Sequence, residues 1–239
     1  MSTSWTNSSV SIHTIPRNSS VPILNSQTLW PGPDGSSFYP WGGEQSYVAT
    51  TIQPPPIQLW KFTAHGITGF WSNIQASSKE FESLHRAVRG AGTVSGDIAY
   101  FFGGVGTQRS DYTFSKSGQE TPLPGVISFN FTSSVWSNES TIGFNTAGTS
   151  AWEKTLSITA LGSDDRTVLV VLGGCDLGII PQLYTTETTL TNFVPFSNIT
   201  MYDPYIGVWF AQEATGQIPP PRAEFCAVVV KGDDNTYEM

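Results

Sequence analysis

The sequence predicts an all-β protein assembled from successive units of four short antiparallel strands. Three observations carry that prediction. A Gly-Gly pair closes an apolar run three times, at Gly42-Gly43, Gly103-Gly104 and Gly173-Gly174, spaced 61 and 70 residues apart. A tryptophan follows each pair, at Trp71, Trp136 and Trp209, spaced 65 and 73 residues apart. The composition, with 23 Gly, 16 Pro and 13% aromatic residues, suits many short strands and turns. A fixed-order repeat of this length sets the architecture before any local propensity is weighed.

Each unit reads in the same order. The apolar run before the glycines is Phe38-Tyr39-Pro40-Trp41, then Ile98-Ala99-Tyr100-Phe101-Phe102, then Val168-Leu169-Val170-Val171-Leu172. Glycine there lets the backbone turn where a side chain would clash. A half-buried third strand follows: Leu59–Phe62, Val126–Phe131 and Ile199–Tyr202. Next come a turn and the Trp-bearing fourth strand. The clearest turn is Asp203-Pro204-Tyr205-Ile206-Gly207, where Pro presets φ and Gly permits positive φ. The third unit continues through Pro221-Arg222 into an expected strand, Phe225–Val230. The helix-like stretch Ser78–Leu84 falls where the repeat needs a lead-in to an inner strand.

Gly-Gly after the second strand, a Tyr-Asp-Pro turn, a Trp, and Pro-Arg before the next unit resemble the kelch repeat of β-propellers, also seen in galactose oxidase-like propellers. All four marks stand in the third unit. The second lacks the Asp-Pro turn and the Pro-Arg. The period exceeds the roughly 50 residues usual for kelch, and the excess falls between Gly-Gly and the third strand, at residues 44–57, 105–125 and 175–197. These are read as loop insertions. The appearance is most similar to fungal extracellular kelch proteins. The resemblance implies a single propeller domain over residues 1–239, with four-stranded blades at 18–77, 78–148 and 149–218. Residues 1–17, with Trp5 and Pro16-Arg17, would supply the outer strand of a preceding blade, and 219–239 would start a further one. The chain is accordingly expected to be part of a larger propeller. The alternative is a four-bladed ring completed by residues 1–17.

The net charge is −8, with 11 scattered basic residues. No Lys/Arg cluster is present to neutralise phosphates, which argues against nucleic-acid binding. No run of 18 apolar residues is present to span a membrane, and no signal peptide is visible. Asn7, Asn18, Asn130, Asn138 and Asn198 each head an Asn-X-Ser/Thr sequon. Chance in a chain with 10 Asn and 55 Ser and Thr gives about two, so an extracellular or cell-surface location is expected, with the cytoplasm as the alternative. Cys175 follows a glycine pair and Cys226 sits in an apolar run, so both are expected as buried thiols rather than a bridge.

No cofactor and no tight metal site are expected. A galactose oxidase resemblance implies copper held by His and Tyr with a Cys–Tyr cross-link. His13, His65 and His85 show no close ligand spacing. The Glu-X3-Asp-X3-His string of nitrile-specifier-like kelch enzymes is absent. Asp34-Gly35, Asp164-Asp165 and Asp233-Asp234 read as hairpin turns, and only the two carboxylate pairs could hold calcium, weakly. Trp71, Trp136 and Trp209 read as packing between units. Arg17 and Arg222 read as side chains bonded to carbonyls or an acid of a neighbouring unit.

Strand order puts the three long loops on one face, together with the connections between units. Their aromatics, Tyr47, Tyr112, Phe114, Tyr184 and Phe193, make that face the expected binding surface. The expected function is therefore a non-catalytic scaffold that binds a protein or a carbohydrate, within a larger extracellular or membrane-anchored protein. The alternatives are a fragment of a copper oxidase whose active-site residues lie outside this chain, and a cytosolic adaptor.

Overall fold

The structure, a computed structural model, describes residues 13–49, 51–74, 78–114, 120–145, 147–159, 166–177, 193–234 and 236–239. Trp5, Asn7, Asp164, Asp165 and Tyr184 lie outside the described residues.

The fold is all-β. Three antiparallel four-stranded meanders follow one another along the chain. The first runs β1 (Asn25–Pro31), β2 (Ser37–Glu44), β3 (Leu59–His65) and β4 (Thr68–Ile74). A single helical turn, α1 (Lys79–Ser83), leads to the second. That sheet opens with β5 (Ala91–Ser95) and β6 (Ile98–Phe102), carries a small inserted ladder of β7 (Val105–Gly106) with β8 (Thr121–Pro122), and closes with β9 (Val126–Asn130) and β10 (Trp136–Glu139). Next comes β11 (Ser150–Ala151), then β12 (Lys154–Thr159) and β13 (Thr167–Leu172) of the third sheet. The short β14 (Cys175–Asp176) pairs back onto β11, and β15 (Asn198–Asp203) and β16 (Val208–Glu213) complete the third sheet. A two-residue ladder, β17 (Val230–Lys231) with β18 (Tyr237–Glu238), follows.

Local chemistry explains the turns. Asp34 accepts the amides of Ser36 and Ser37 at 3.0 and 2.8 Å, and Gly35 takes φ 66° between β1 and β2. Asp203 accepts the Tyr205 amide at 2.8 Å and its carbonyl takes the Gly207 amide at 2.9 Å, closing β15 onto β16. Ser78 caps α1 by accepting the Phe81 amide at 3.1 Å, and Phe81 packs against Trp41 and Trp136.

The sheets pack face to face. Trp136 of the second sheet, 3% exposed, lies among Trp30 and Trp41 of the first and Phe129 of its own. The Trp30 indole N–H donates to the Tyr100 carbonyl at 3.0 Å. Trp209 of the third sheet packs on Phe102 and Phe144 of the second unit and on Tyr202. Both tryptophans therefore join neighbouring sheets. Trp71 differs: it is half-buried and packs edge-on to Phe38 and tilted against Phe62 of its own sheet.

The glycine pairs do more than turn the chain. The second glycine of each pair donates to the lead-in of the next unit: Gly43 to the Ala87 carbonyl (2.9 Å), Gly104 to Ser150 (2.6 Å) and Gly174 to Arg222 (2.9 Å). A Cβ on the first glycine would meet that same carbonyl oxygen at 2.7 Å for Gly42 and Gly103 and at 2.6 Å for Gly173. All six glycines have φ between 58° and 94°. The pair is the point where one sheet docks on the next.

Several expectations need correction. The first apolar strand does not stop before its glycines but runs through both. Residues 13–17 form no strand, and Arg17 is exposed. The expected strand Phe225–Val230 forms no strand before Val230, because a strand needs a hydrogen-bonded neighbour and only two residue pairs form with β18. Arg222 is exposed, and its side chain donates only to the Pro220 carbonyl at 3.3 Å, within its own turn. The buried arginine is Arg86, 4% exposed, whose guanidinium donates to Pro55 (2.8 Å), Pro56 (2.7 Å) and Ser110 (2.9 Å) and so ties down the loop after β2. Cys175 and Cys226 are both free thiols; Cys175 is buried, but Cys226 is exposed. Among the described residues no helix is long and apolar enough to cross a membrane.

Candidate functional site

Besides Ser134 in the β9–β10 turn, four described residues with nothing chemical in common share one backbone state. Ser26 (φ 57°), Arg89 (φ 64°), Trp152 (φ 59°) and Glu224 (φ 55°) are left-handed corners. Three lie just before or inside the first strand of a sheet, and Glu224 holds the matching place after the third. They are 63, 63 and 72 residues apart, the same rhythm as the glycine pairs. Main-chain bonds chain three of them together: the Trp152 amide donates to the Arg89 carbonyl at 2.7 Å, and the Glu224 amide to the Trp152 carbonyl at 3.2 Å.

All four line one cavity of about 990 Å³. Its walls are the first strands of the three sheets and residues 224–227. Non-glycine residues avoid the left-handed region, and for a bulky side chain such as Trp it is an outlier. The fold demands that conformation at each corner, yet the chain places Arg, Trp and Glu there rather than Gly. Strained side chains of this kind concentrate at functional sites.

The mouth of the cavity joins the corners to the long loops. The Arg89 guanidinium lies over the Trp152 ring at 5.1 Å, pairs with Glu120, and reaches the Tyr47 hydroxyl at 3.5 Å. The Arg109 guanidinium lies over the other aromatic, Tyr47, at 5.0 Å and donates to the Ser46 carbonyl at 2.9 Å. The Gln45 amide donates to the Arg109 carbonyl at 2.9 Å, and the Thr107 hydroxyl to the buried Glu44 carboxylate at 3.0 Å. The loops after β2 and β6 thus converge at one rim. Arg109, Tyr47, Arg89 and Trp152 alternate cation and ring along it, a geometry stabilising by about 0.5–1 kcal/mol per exposed pair.

The loop aromatics separate into distinct roles. Tyr47 stands at the mouth, 58% exposed, and Tyr112 is exposed in the β7–β8 insertion. Phe114 turns inward, under Gly106 and edge-on to His85. Phe193 is half-buried and bridges Cys175. Of the sequons, Asn18, Asn138 and Asn198 are exposed. Asn130 is half-buried and its side-chain oxygen accepts the amides of Thr132 and Ser133. The histidines stay apart, with His85 3.4 Å from Asp111. Asp234 binds its own turn through Thr236.

Sequence reasoning missed the corner residues, Glu44 and Glu153. The corner residues differ in type, so only the period could have found Arg89, Trp152 and Glu224, by stepping 46 to 50 residues on from the second glycine of each pair. No family model matches this chain, and no curated protein matches it.

Proposed function

We propose that this chain is a non-catalytic kelch-type β-propeller module, with the three meanders as blades, that holds a protein or carbohydrate partner at the mouth of the central cavity. One observation carries the reading: four non-glycine corners at the repeat period line a single cavity whose rim is built from Tyr47, Arg89, Arg109 and Trp152. Aromatic and arginine side chains dominate binding energy at recognition surfaces, and loops on a rigid β scaffold are where partners usually dock. Docking of each glycine pair on the next unit's carbonyl supports the propeller reading, since it repeats one inter-blade step. Exposed Asn18, Asn138 and Asn198 support a secretory location, and the module is read as belonging to a larger extracellular or cell-surface protein.

The test is a binding screen of the purified chain against an oligosaccharide array and against immobilised ectodomains. Tyr47→Ala and Trp152→Ala are measured beside wild type. A partner that loses at least tenfold affinity for both variants supports the reading. Binding that both variants retain places the partner elsewhere and overturns it.

A further inference from the structure

Glu153 is completely buried. It follows Trp152 directly and sits where the second sheet meets the third. Its carboxyl lies against the backbone of Gly103, with no room for a Cβ there, while its own Cβ and amide lie 2.8 Å from where a Cβ on Gly174 would stand. The side chain is therefore wedged between two glycine pairs. Among the described residues no donor reaches hydrogen-bond geometry at either carboxyl oxygen or at the adjacent Ser150 hydroxyl, although that hydroxyl and the amides of Glu153 and Ala91 lie close enough to favour the charged form.

A carboxylate buried without partners carries its whole desolvation cost, and the group stays protonated instead. Burial pushes Glu153 up to about 8; its own amide, then the Ser150 hydroxyl, Lys154 and the Ala91 amide, lean the other way without offsetting it. The groups facing it come from every neighbouring element. Lys154 is on β12 itself. Cys175 on β14 is pushed up to about 11, first by burial and then by Glu153 and Glu224. Glu224 is at the next corner, and Arg89, across the Trp152 ring, is paired with Glu120. Two main-chain bonds just ahead of Glu153 hold the seam: Gly104 to Ser150 and Trp152 to Arg89.

We propose that Glu153 is a proton-operated latch on the seam between the second and third sheets. Protonated, its carboxyl stays between the glycine pairs and keeps Trp152 docked over Arg89. Deprotonated, it moves to water, the corner at residues 150–153 lifts off the second sheet, and the mouth of the cavity changes shape. The latch touches the proposed binding site through Trp152, but its test reads the seam alone, so either can fail without the other.

The test is amide hydrogen exchange of Gly104 and Trp152 in the full chain, corrected for hydroxide catalysis. The opened seam has an ordinary carboxyl, whereas the closed one keeps its proton to about 8. Corrected exchange should therefore rise about tenfold per pH unit between those values and level off above. Glu153→Gln should be flat across the range, and Cys175→Ser should keep the rise. On the wild-type protein, infrared spectra should show a protonated carboxyl at neutral pH that disappears in mildly alkaline buffer. If Glu153→Gln does not fold, the wild-type exchange and infrared profiles decide. A flat wild-type profile, an equal rise in Glu153→Gln, or no protonated carboxyl at neutral pH would overturn the latch.

Discussion

The Trp152 amide donates to the Arg89 carbonyl at 2.7 Å while the Arg89 guanidinium lies over the Trp152 ring at 5.1 Å. The same two residues are thus joined twice, once through the backbone and once through their side chains. Both sit in the left-handed region, at φ 64° and 59°. That conformation costs an ordinary residue about 1–2 kcal/mol relative to glycine. Trp152→Ala should lose the ring and keep the strain, whereas Trp152→Gly should lose both. Urea denaturation should find the glycine variant more stable than the alanine variant by about 1 kcal/mol. The reverse order would mean that the corner is not strained.

The docking glycines allow a paired comparison. Gly42 has φ 76°, and an added Cβ would stand 2.7 Å from the Ala87 oxygen; Gly35 has φ 66°, and an added Cβ would meet nothing within 4 Å. Gly35→Ala should cost about 1 kcal/mol, the conformational term alone. Gly42→Ala should cost about 2–4 kcal/mol, because the clash between sheets is added. Equal losses in chemical denaturation would show that the glycine pair serves only local geometry.

The three repeat tryptophans should not be equivalent. Trp136 is buried between two sheets, so Trp136→Ala should cost about 3–5 kcal/mol. Trp71 is half-buried on its own sheet, so Trp71→Ala should cost about 1–2 kcal/mol. Calorimetric melting of the two variants checks the order.

Stability should depend on pH in a direction unusual for a carboxylate. Glu153 is raised from 4.5 to about 8 by burial. The folded protein holds a proton that the unfolded chain releases, so stability is full below the ordinary value. It falls as pH rises toward about 8, by roughly a few kcal/mol, and is level above. Asp34 runs the opposite way. The Ser37 hydroxyl, then Lys61 and the Ser36 amide, hold it well below its ordinary 3.8. Its contribution is present above that value and lost as pH falls, and exposure keeps it small. Melting temperature against pH should slope down from mildly acidic to mildly alkaline buffer in wild type, and Glu153→Gln should flatten that slope.

Much of the fold was legible because its marks are local. Asp34-Gly35 and Asp203–Gly207 announce turns through their own backbone chemistry, and each apolar run ending in Gly-Gly announces a second strand. The run Phe225–Val230 was misread because its apolar residues match a strand, while strand formation depends on a partner with which it makes only two pairs. Arg222 was misread for a related reason: the seam uses its main-chain carbonyl, which any residue supplies, and the buried guanidinium belongs to Arg86. The rim was half legible, through Tyr47 and the loop lengths.

The amino-acid sequence by itself determined the all-β class and the order of strands within each unit. Those follow from glycine conformational freedom, turn chemistry and hydrophobic runs, all short-range. Tertiary structure decided that Ser26, Arg89, Trp152 and Glu224 are one set, that Trp71 differs from Trp136 and Trp209, and that Glu153 is buried without a partner. These depend on which surfaces meet across sheets more than sixty residues apart. The left-handed φ of these corners goes with no single residue type, so it could not be read from any one of them.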